Sequence, residues 1–313
     1  MSRHRLVLCG AGPWAENIAA AIARRSDSVV SAQLVKRTGI PRSRSVDAPL
    51  YHDVTDLLAT QDFDGAIICT DPEAHAFLCD TFIRRGLPCF VEKPVAMDCS
   101  TAADLHTLAL QHHVPVTVDY IHLFSGPFIE MAQQMRQRGH PKKLVGVAGN
   151  PSISSSRRPT LWDWGPHDFA MALTCLGIEA WAQNQTWHVE TASEYGDVII
   201  EGKVGRTHTH LHFSNSFRKK IRAFIAAYED EVFVYDGASR PSLTHWNRKP
   251  SNMGARFQKT EHLKAESLPL DVSVSEFINS IDRQHSTKTG LELTLAVTEA
   301  LVYCSRQLSG AGT

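Results

Sequence analysis

Between Leu6 and Val118 the chain alternates short apolar runs with stretches that favour helix, and this alternation narrows the possible folds more than any other feature. The apolar runs are Leu6–Cys9, Val29–Val35, Gly65–Cys69, Pro88–Val91 and Val114–Val118. Helix-forming stretches separate them at Pro13–Arg25, Val54–Thr60, Pro72–Arg85 and Thr101–His112. Nearly continuous apolar runs of this length predict strands covered on both faces, and helical crossovers between them predict a parallel, doubly wound α/β sheet.

After about Tyr120 the rhythm changes. A helix is expected near Phe128–Arg138, a strand at Leu144–Ala148, a polar loop around Ser152–Pro159 and a helix from about Gly165 to Leu176. Runs at Val198–Val204, Thr207–Phe213, Ile221–Ala227 and Val232–Tyr235 follow with short turns and partial alternation. That pattern predicts a mostly antiparallel open sheet with one exposed face. Helices near Val274–Asp282 and Gly290–Gln307 are expected to complete an α+β second half.

Composition excludes several classes of partner. With 32 Lys+Arg against 33 Asp+Glu among 313 residues, the net charge of −1 supplies no general field for nucleic acid or anionic membrane. No segment approaches the ~18 apolar residues of a membrane span, so a soluble, cytoplasmic protein is expected. The seven cysteines, Cys9, Cys69, Cys79, Cys89, Cys99, Cys175 and Cys304, include no C-x-x-C pair and fit no zinc spacing. Reduced core residues are expected. His208, His210 and His212 share one strand face, but neighbours on such a face stand ~7 Å apart and do not converge on one ion without bending. They read as a polar sheet face or a subunit interface, and no metal site is expected.

The first strand runs into Gly10-Ala11-Gly12-Pro13-Trp14-Ala15, a G-x-G-x-x-A motif in its strand-turn-helix setting. Gly10 allows the tight turn, Gly12 lets backbone approach a pyrophosphate, Ala15 permits close helix packing, and the helix N-terminus offers amides to phosphate. The expectation is a dinucleotide-binding Rossmann domain over residues 1–121 and a substrate-binding and oligomerisation domain over 122–313. An acid at the end of the second strand would grip the ribose of NAD, yet Lys36-Arg37-Thr38 stand there. Two cations suit a 2′-phosphate, so NADP(H) is expected in preference to NAD(H).

Lys93, in Glu92-Lys93-Pro94, lies at a strand's carboxyl end, where open parallel sheets bind ligands. Asp163 and His167 stand four apart at a helix start, which brings their side chains to one face. Lys93, Asp163 and His167 therefore form a candidate proton-transfer group. Solvated or capping roles for the same residues remain open at this level.

These elements together resemble the glucose-fructose oxidoreductase and inositol dehydrogenase (Gfo/Idh/MocA) family of two-domain, nicotinamide-dependent enzymes. The likeness rests on Gly10-Ala11-Gly12, on Thr70-Asp71-Pro72-Glu73-Ala74-His75 followed by Gly86 and Glu92-Lys93-Pro94, and on Asp163-x-Gly165-x-His167. It implies that Lys93, Asp163 and His167 are catalytic and that Thr70, Pro72, His75, Glu92 and Pro94 join the cofactor site. It further implies a sugar, nucleotide-sugar or polyol substrate and a homodimer or homotetramer joined through the second sheet. Where the family often carries a further acid, three residues after the histidine, this chain has Ala170, and Asp168 is adjacent to the histidine instead. The same donors and cofactor would also suit an imine, and a dinucleotide-binding sensor without turnover would need the glycine turn but not the catalytic three.

Overall fold

The computed structural model describes residues 3–36, 43–151, 159–179, 186–191, 196–251, 254–283 and 290–310. The chain divides into two compact units, Met1–Tyr120 with Leu270–Thr298, and Ile121–Pro269 with Glu299–Thr313.

In the first unit the elements follow as β1 (His4–Cys9), α1 (Pro13–Ala23), β2 (Ser28–Leu34), β3 (Leu50–Tyr51), α2 (Val54–Thr60), β4 (Gly65–Ile68), α3 (Pro72–Arg84), β5 (Cys89–Val91), α4 (Cys99–His112) and β6 (Val116–Val118). All strands are parallel, in the order β3-β2-β1-β4-β5-β6, so every carboxyl end lies on one edge. The apolar runs thus form the expected doubly wound sheet. The two-residue β3 is an addition, too short to leave a periodic signal. Capping fixes two of the crossovers: Asp53 accepts from the amides of Thr55 and Asp56, and Asp98 from that of Thr101.

One helix from the end of the chain also belongs here. The sequence places it with the second half, but α7 (Pro269–Arg283) packs Val274, Phe277 and Ile278 into the core formed by Leu6, Leu8, Ile18, Ile67 and Phe90. Arg24 pairs with Asp271, and Phe277 meets Phe90 at 5.7 Å between ring centroids. Such a placement rests on contacts between residues far apart in sequence, 187 positions for Phe90 and Phe277, which no local period records.

The second unit holds α5 (Gly126–Arg138) and α6 (Thr160–Leu176) against one face of an eight-stranded sheet. Its strands are β7 (Lys143–Pro151), β8 (Thr186–Thr191), β9 (Val198–Val204), β10 (Thr207–Ser214), β11 (Ser216–Ala227), β12 (Glu231–Asp236), β13 (Ser242–Ser251) and β14 (Gly254–Lys264). Their order is β14-β13-β12-β11-β7-β10-β9-β8, antiparallel except where β7 meets β10. Three of these strands, β8, β13 and β14, lack clean alternation and are additions to the expected set. The last of the three boundaries between the units falls within α8 (Leu291–Leu308). Every cysteine is free and all but Cys99 are buried. Burial pushes the thiols of Cys175 and Cys304 up to about 12, which leaves them unreactive. Among the described residues no helix is long and apolar enough to cross a membrane.

Candidate active site

The glycine turn at the carboxyl end of β1 is shaped by contact. Gly10 holds a φ of +116°, and a Cβ there would stand 2.4 Å from the Cys69 carbonyl oxygen, so no other residue fits without displacing the end of β4. A buried residue that the motif does not mention fixes its carbonyl: Gln33 Nε2 donates to Gly10 O at 2.7 Å and to Ser43 Oγ at 3.0 Å. At Gly12 the space beyond the Cα is open, and no side chain caps the first turn of α1. Uncapped amides facing open space fit a pyrophosphate, so the residues present suit the dinucleotide that the motif implies. Pro13 takes the first helical position, Ala15 is fully buried against the sheet, and Glu16 accepts from the amides of Arg44 and Ser45.

Trp14 has a role that the sequence did not reveal. Its indole Nε1 donates to Asp119 Oδ2 at 3.1 Å, while Ser273 Oγ donates to Asp119 Oδ1 at 3.1 Å. Asp119, 1% exposed at the carboxyl end of β6, therefore ties the cofactor turn to α7. Burial raises its carboxyl to about 6, against the pull of both donors and of the Lys93 ammonium. Neither its neighbours in sequence nor a motif marks this aspartate; only the end of a strand in a parallel sheet could have pointed to it.

Lys93 is 6% exposed at the carboxyl end of β5, on the same sheet edge as the glycine turn. The turn that carries it is held from below by His75, itself 1% exposed. The ring's Nδ1 lies 2.8 Å from the Pro94 carbonyl oxygen and its Nε2 2.9 Å from that of Thr70. His75 thus braces the Lys93-Pro94 turn against the end of β4, whereas Thr70 and Pro72 are half-buried on that edge. Glu92 donates its amide to the Ile68 carbonyl; burial raises the thiol of Cys69 and the phenol of Tyr120, and the Glu92 carboxylate adds to both shifts. Lys36 is exposed just beyond β2, while Arg37 and Thr38 lie outside the described residues, as does most of the Ser152–Pro159 loop.

In the second unit α6 begins at Thr160, five residues before the expected start, with Asp163 in its first turn and Pro166 inside the helix. Proline in that position costs a backbone hydrogen bond, but Leu161 and Trp162 are buried and Trp162 Nε1 donates to Ser305 Oγ at 3.0 Å. Tertiary burial has outweighed the local stop signal. Asp163 and His167 are half-buried, one helical turn apart.

Asp168 turns inward. It is fully buried and paired with Arg222, itself 3% exposed, and burial raises its carboxyl to about 6 despite that cation. A Cβ at Gly146 would stand 2.5 Å from Asp168 Oδ1, so the strand has made room for this acid. Arg222 also lies over the Trp164 ring at 5.5 Å. Asp168 and the buried Ala170 therefore belong to the core. His122, which follows β6 and was not expected in the site, meets His167 edge to face at 5.2 Å between centroids.

The three histidines of β10 do not gather. His210 Nδ1 lies 2.8 Å from Glu201 Oε1 and His212 packs on Phe217, and among the described residues no group of His, Cys, Asp and Glu is placed to hold a metal ion.

Comparison with known proteins bears on the fold and on the first unit. Residues 4–120 match an oxidoreductase family with an NAD-binding Rossmann fold, GFO_IDH_MocA. Over 129 residues the chain is 31% identical to the myo-inositol dehydrogenase Hyg17 of Streptomyces leeuwenhoekii, a match that spans 39% of this chain and 40% of that protein. Among solved structures, the UDP-N-acetylglucosamine 3-dehydrogenase GnnA from Acidithiobacillus ferrooxidans superposes with a TM-score of 0.85 at 19% identity over 99% of both chains. The 3-ketoreductase KijD10 from Actinomadura kijaniata, solved with NADP and TDP-benzene, gives 0.80 at 13% identity over 98% of both. At such identities the likeness establishes the fold.

Proposed function

We propose that this chain, whose residues 4–120 belong to the GFO/IDH/MocA oxidoreductase family, is an NADP(H)-dependent dehydrogenase or reductase acting at a hydroxyl or ketone carbon of a sugar, nucleotide-sugar or sugar-like polyol. The observation that carries the reading is Lys93, a buried lysine on the sheet edge that also bears an uncapped glycine turn. A lysine is kept there against its desolvation cost when its proton is needed. The names of the similar proteins support the substrate class, since they act on an inositol, a nucleotide-linked amino sugar and a 3-keto group.

A bound nicotinamide would supply the hydride acceptor or donor. The chain's own residues do the rest: Lys93 Nζ and the His167 ring hold or return the hydroxyl proton, and Asp163, one turn before His167, orients it. Gly10, Ala11, Gly12, Pro13, Trp14 and Ala15 seat the dinucleotide. Lys36, with Arg37 and Thr38 after it, favours a 2′-phosphate over a bare ribose. The outer face of the second sheet, with half-buried Val145, Val147, Ile225 and Val234, suits a homodimer or homotetramer; sedimentation showing only a ~35 kDa monomer at micromolar concentration would count against it.

The deciding experiment pairs a nicotinamide fluorescence titration with turnover on a panel of polyols, sugars, nucleotide-sugars and imines. Turnover with NADP(H) on a hydroxyl or keto sugar supports the reading. Tight binding with no turnover anywhere replaces it with a sensor, and turnover confined to imines moves the chemistry to C=N bonds.

A further inference from the structure

His122 is half-buried in the 3-10 turn Ile121–Phe124, and three observations show that its ring is held in one place. Its Nδ1 lies 2.9 Å from the Tyr235 hydroxyl, and the two rings cross at 80°. Gly237 leaves room for the ring: a Cβ there would stand 2.9 Å from both His122 Cε1 and Nδ1, and equally close to the Arg222 stem. Its edge contact with His167 completes the enclosure, at an interplanar angle of 84°. A histidine needed only to fill space does not require a bare glycine behind it and a buried phenol to pin it.

We propose that His122 is a positioning residue for His167: it fixes the orientation of that ring and, as a second imidazole, governs how many protons the pair holds. This rests on the reading of His167 as a proton-transfer group. Two imidazolium charges about 5 Å apart repel in a half-buried setting, so the second proton binds only at lower pH than the first. Charged and titratable groups of both signs surround the pair, beginning with Asp163, one turn before His167 on α6. Arg222 is cationic and packs on the same glycine, its charge offset by the buried Asp168. Asp236 is exposed beside Tyr235, whose hydroxyl is pushed up to about 12 by burial and so stays protonated at neutral pH.

His122→Phe keeps a ring in edge contact but removes both nitrogens. Turnover should fall about tenfold or more with cofactor affinity unchanged, and the limb of the pH–rate profile that reports His167 should move by about one unit. In 15N-resolved NMR of the full chain, His167 should titrate in two steps in the native protein and in one step in the variant. Tyr235→Phe leaves both imidazoles in place and removes the anchor, so it should lower turnover by a smaller factor and move the same limb in the same direction. A His122→Phe protein with a native pH profile and an unchanged His167 titration overturns the proposal, and if that variant does not fold, a native profile in Tyr235→Phe does so. The NMR arm uses no substrate, so full turnover in His167→Asn would remove the catalytic reading while the titration still decided the pairing.

Discussion

The strands of the parallel sheet are two to seven residues long, with β4, β5 and β6 buried throughout, whereas those of the mixed sheet run six to twelve residues and leave one face half exposed. A sheet covered on both sides has only its edge to offer a ligand. Gly10, Thr70, Lys93 and Asp119 accordingly sit just past the carboxyl ends of β1, β4, β5 and β6. The mixed sheet works differently. Its covered face supports His122, His167, Arg222 and Tyr235 from a turn, a helix and two strands, and its other face is half exposed. Short strands concentrate chemistry at one rim, and long ones gather it from distant segments.

The largest expected effect tests whether each sheet contributes to the reaction. Lys93→Met keeps the apolar stem and removes the ammonium, so turnover should fall ~10²-fold or more while nicotinamide titration shows near-native affinity. His167→Asn should do the same from the mixed sheet. If the two act on one proton, the double variant should cost less than the sum of the singles. Near-native turnover in either single variant would reduce that sheet's part to binding.

Asp119 sharpens the comparison through pH. Its folded value of about 6 lies above the ordinary 3.8, so the folded state holds the proton across that interval and the stability owed to this group falls as pH rises from 3.8 to 6. Asparagine does not titrate. The stability of the native protein relative to Asp119→Asn, from denaturant melts, should therefore drop by up to about 3 kcal/mol over that window and stay level above it. A difference flat from pH 4 to 7 would mean that the carboxyl beside Trp14 and Ser273 is ionised throughout.

The smallest effect concerns cofactor choice. Lys36→Asp should weaken NADP(H) by at least about tenfold and reverse the preference over NAD(H), because one charge-assisted contact becomes a repulsion. Equal affinities in the native protein would remove this assignment and leave the rest of the site untouched.

Much of the parallel sheet was legible because its signals are local. Apolar runs, crossover helices, the glycine turn and Glu92-Lys93-Pro94 each lie within a few residues, and the strand ends follow from them. The mixed sheet was less readable: β8, β13 and β14 lack clean alternation, and α6 begins before a proline that argues for a later start. Among the candidate site residues, Asp163 and His167 were proposed from their spacing, but His122 and Asp119 had no neighbouring signal. Asp168 stood next to the histidine with nothing in the sequence to say which way it faces, and burial pairs it with Arg222.

The sequence by itself determined the elements whose physics is short-range: the parallel α/β unit, a glycine turn after its first strand, and a lysine at a strand end. Tertiary structure alone decided the partnerships. Trp14 meets Asp119 across 105 residues, Ser273 meets it across 154, and His122 meets Tyr235 across 113. Periodicity reports which face of an element is buried but not which distant residue waits there. A buried carboxyl, phenol or imidazole must find a hydrogen-bonding partner or bear the cost of desolvation, and only the packed fold determines which partner it finds.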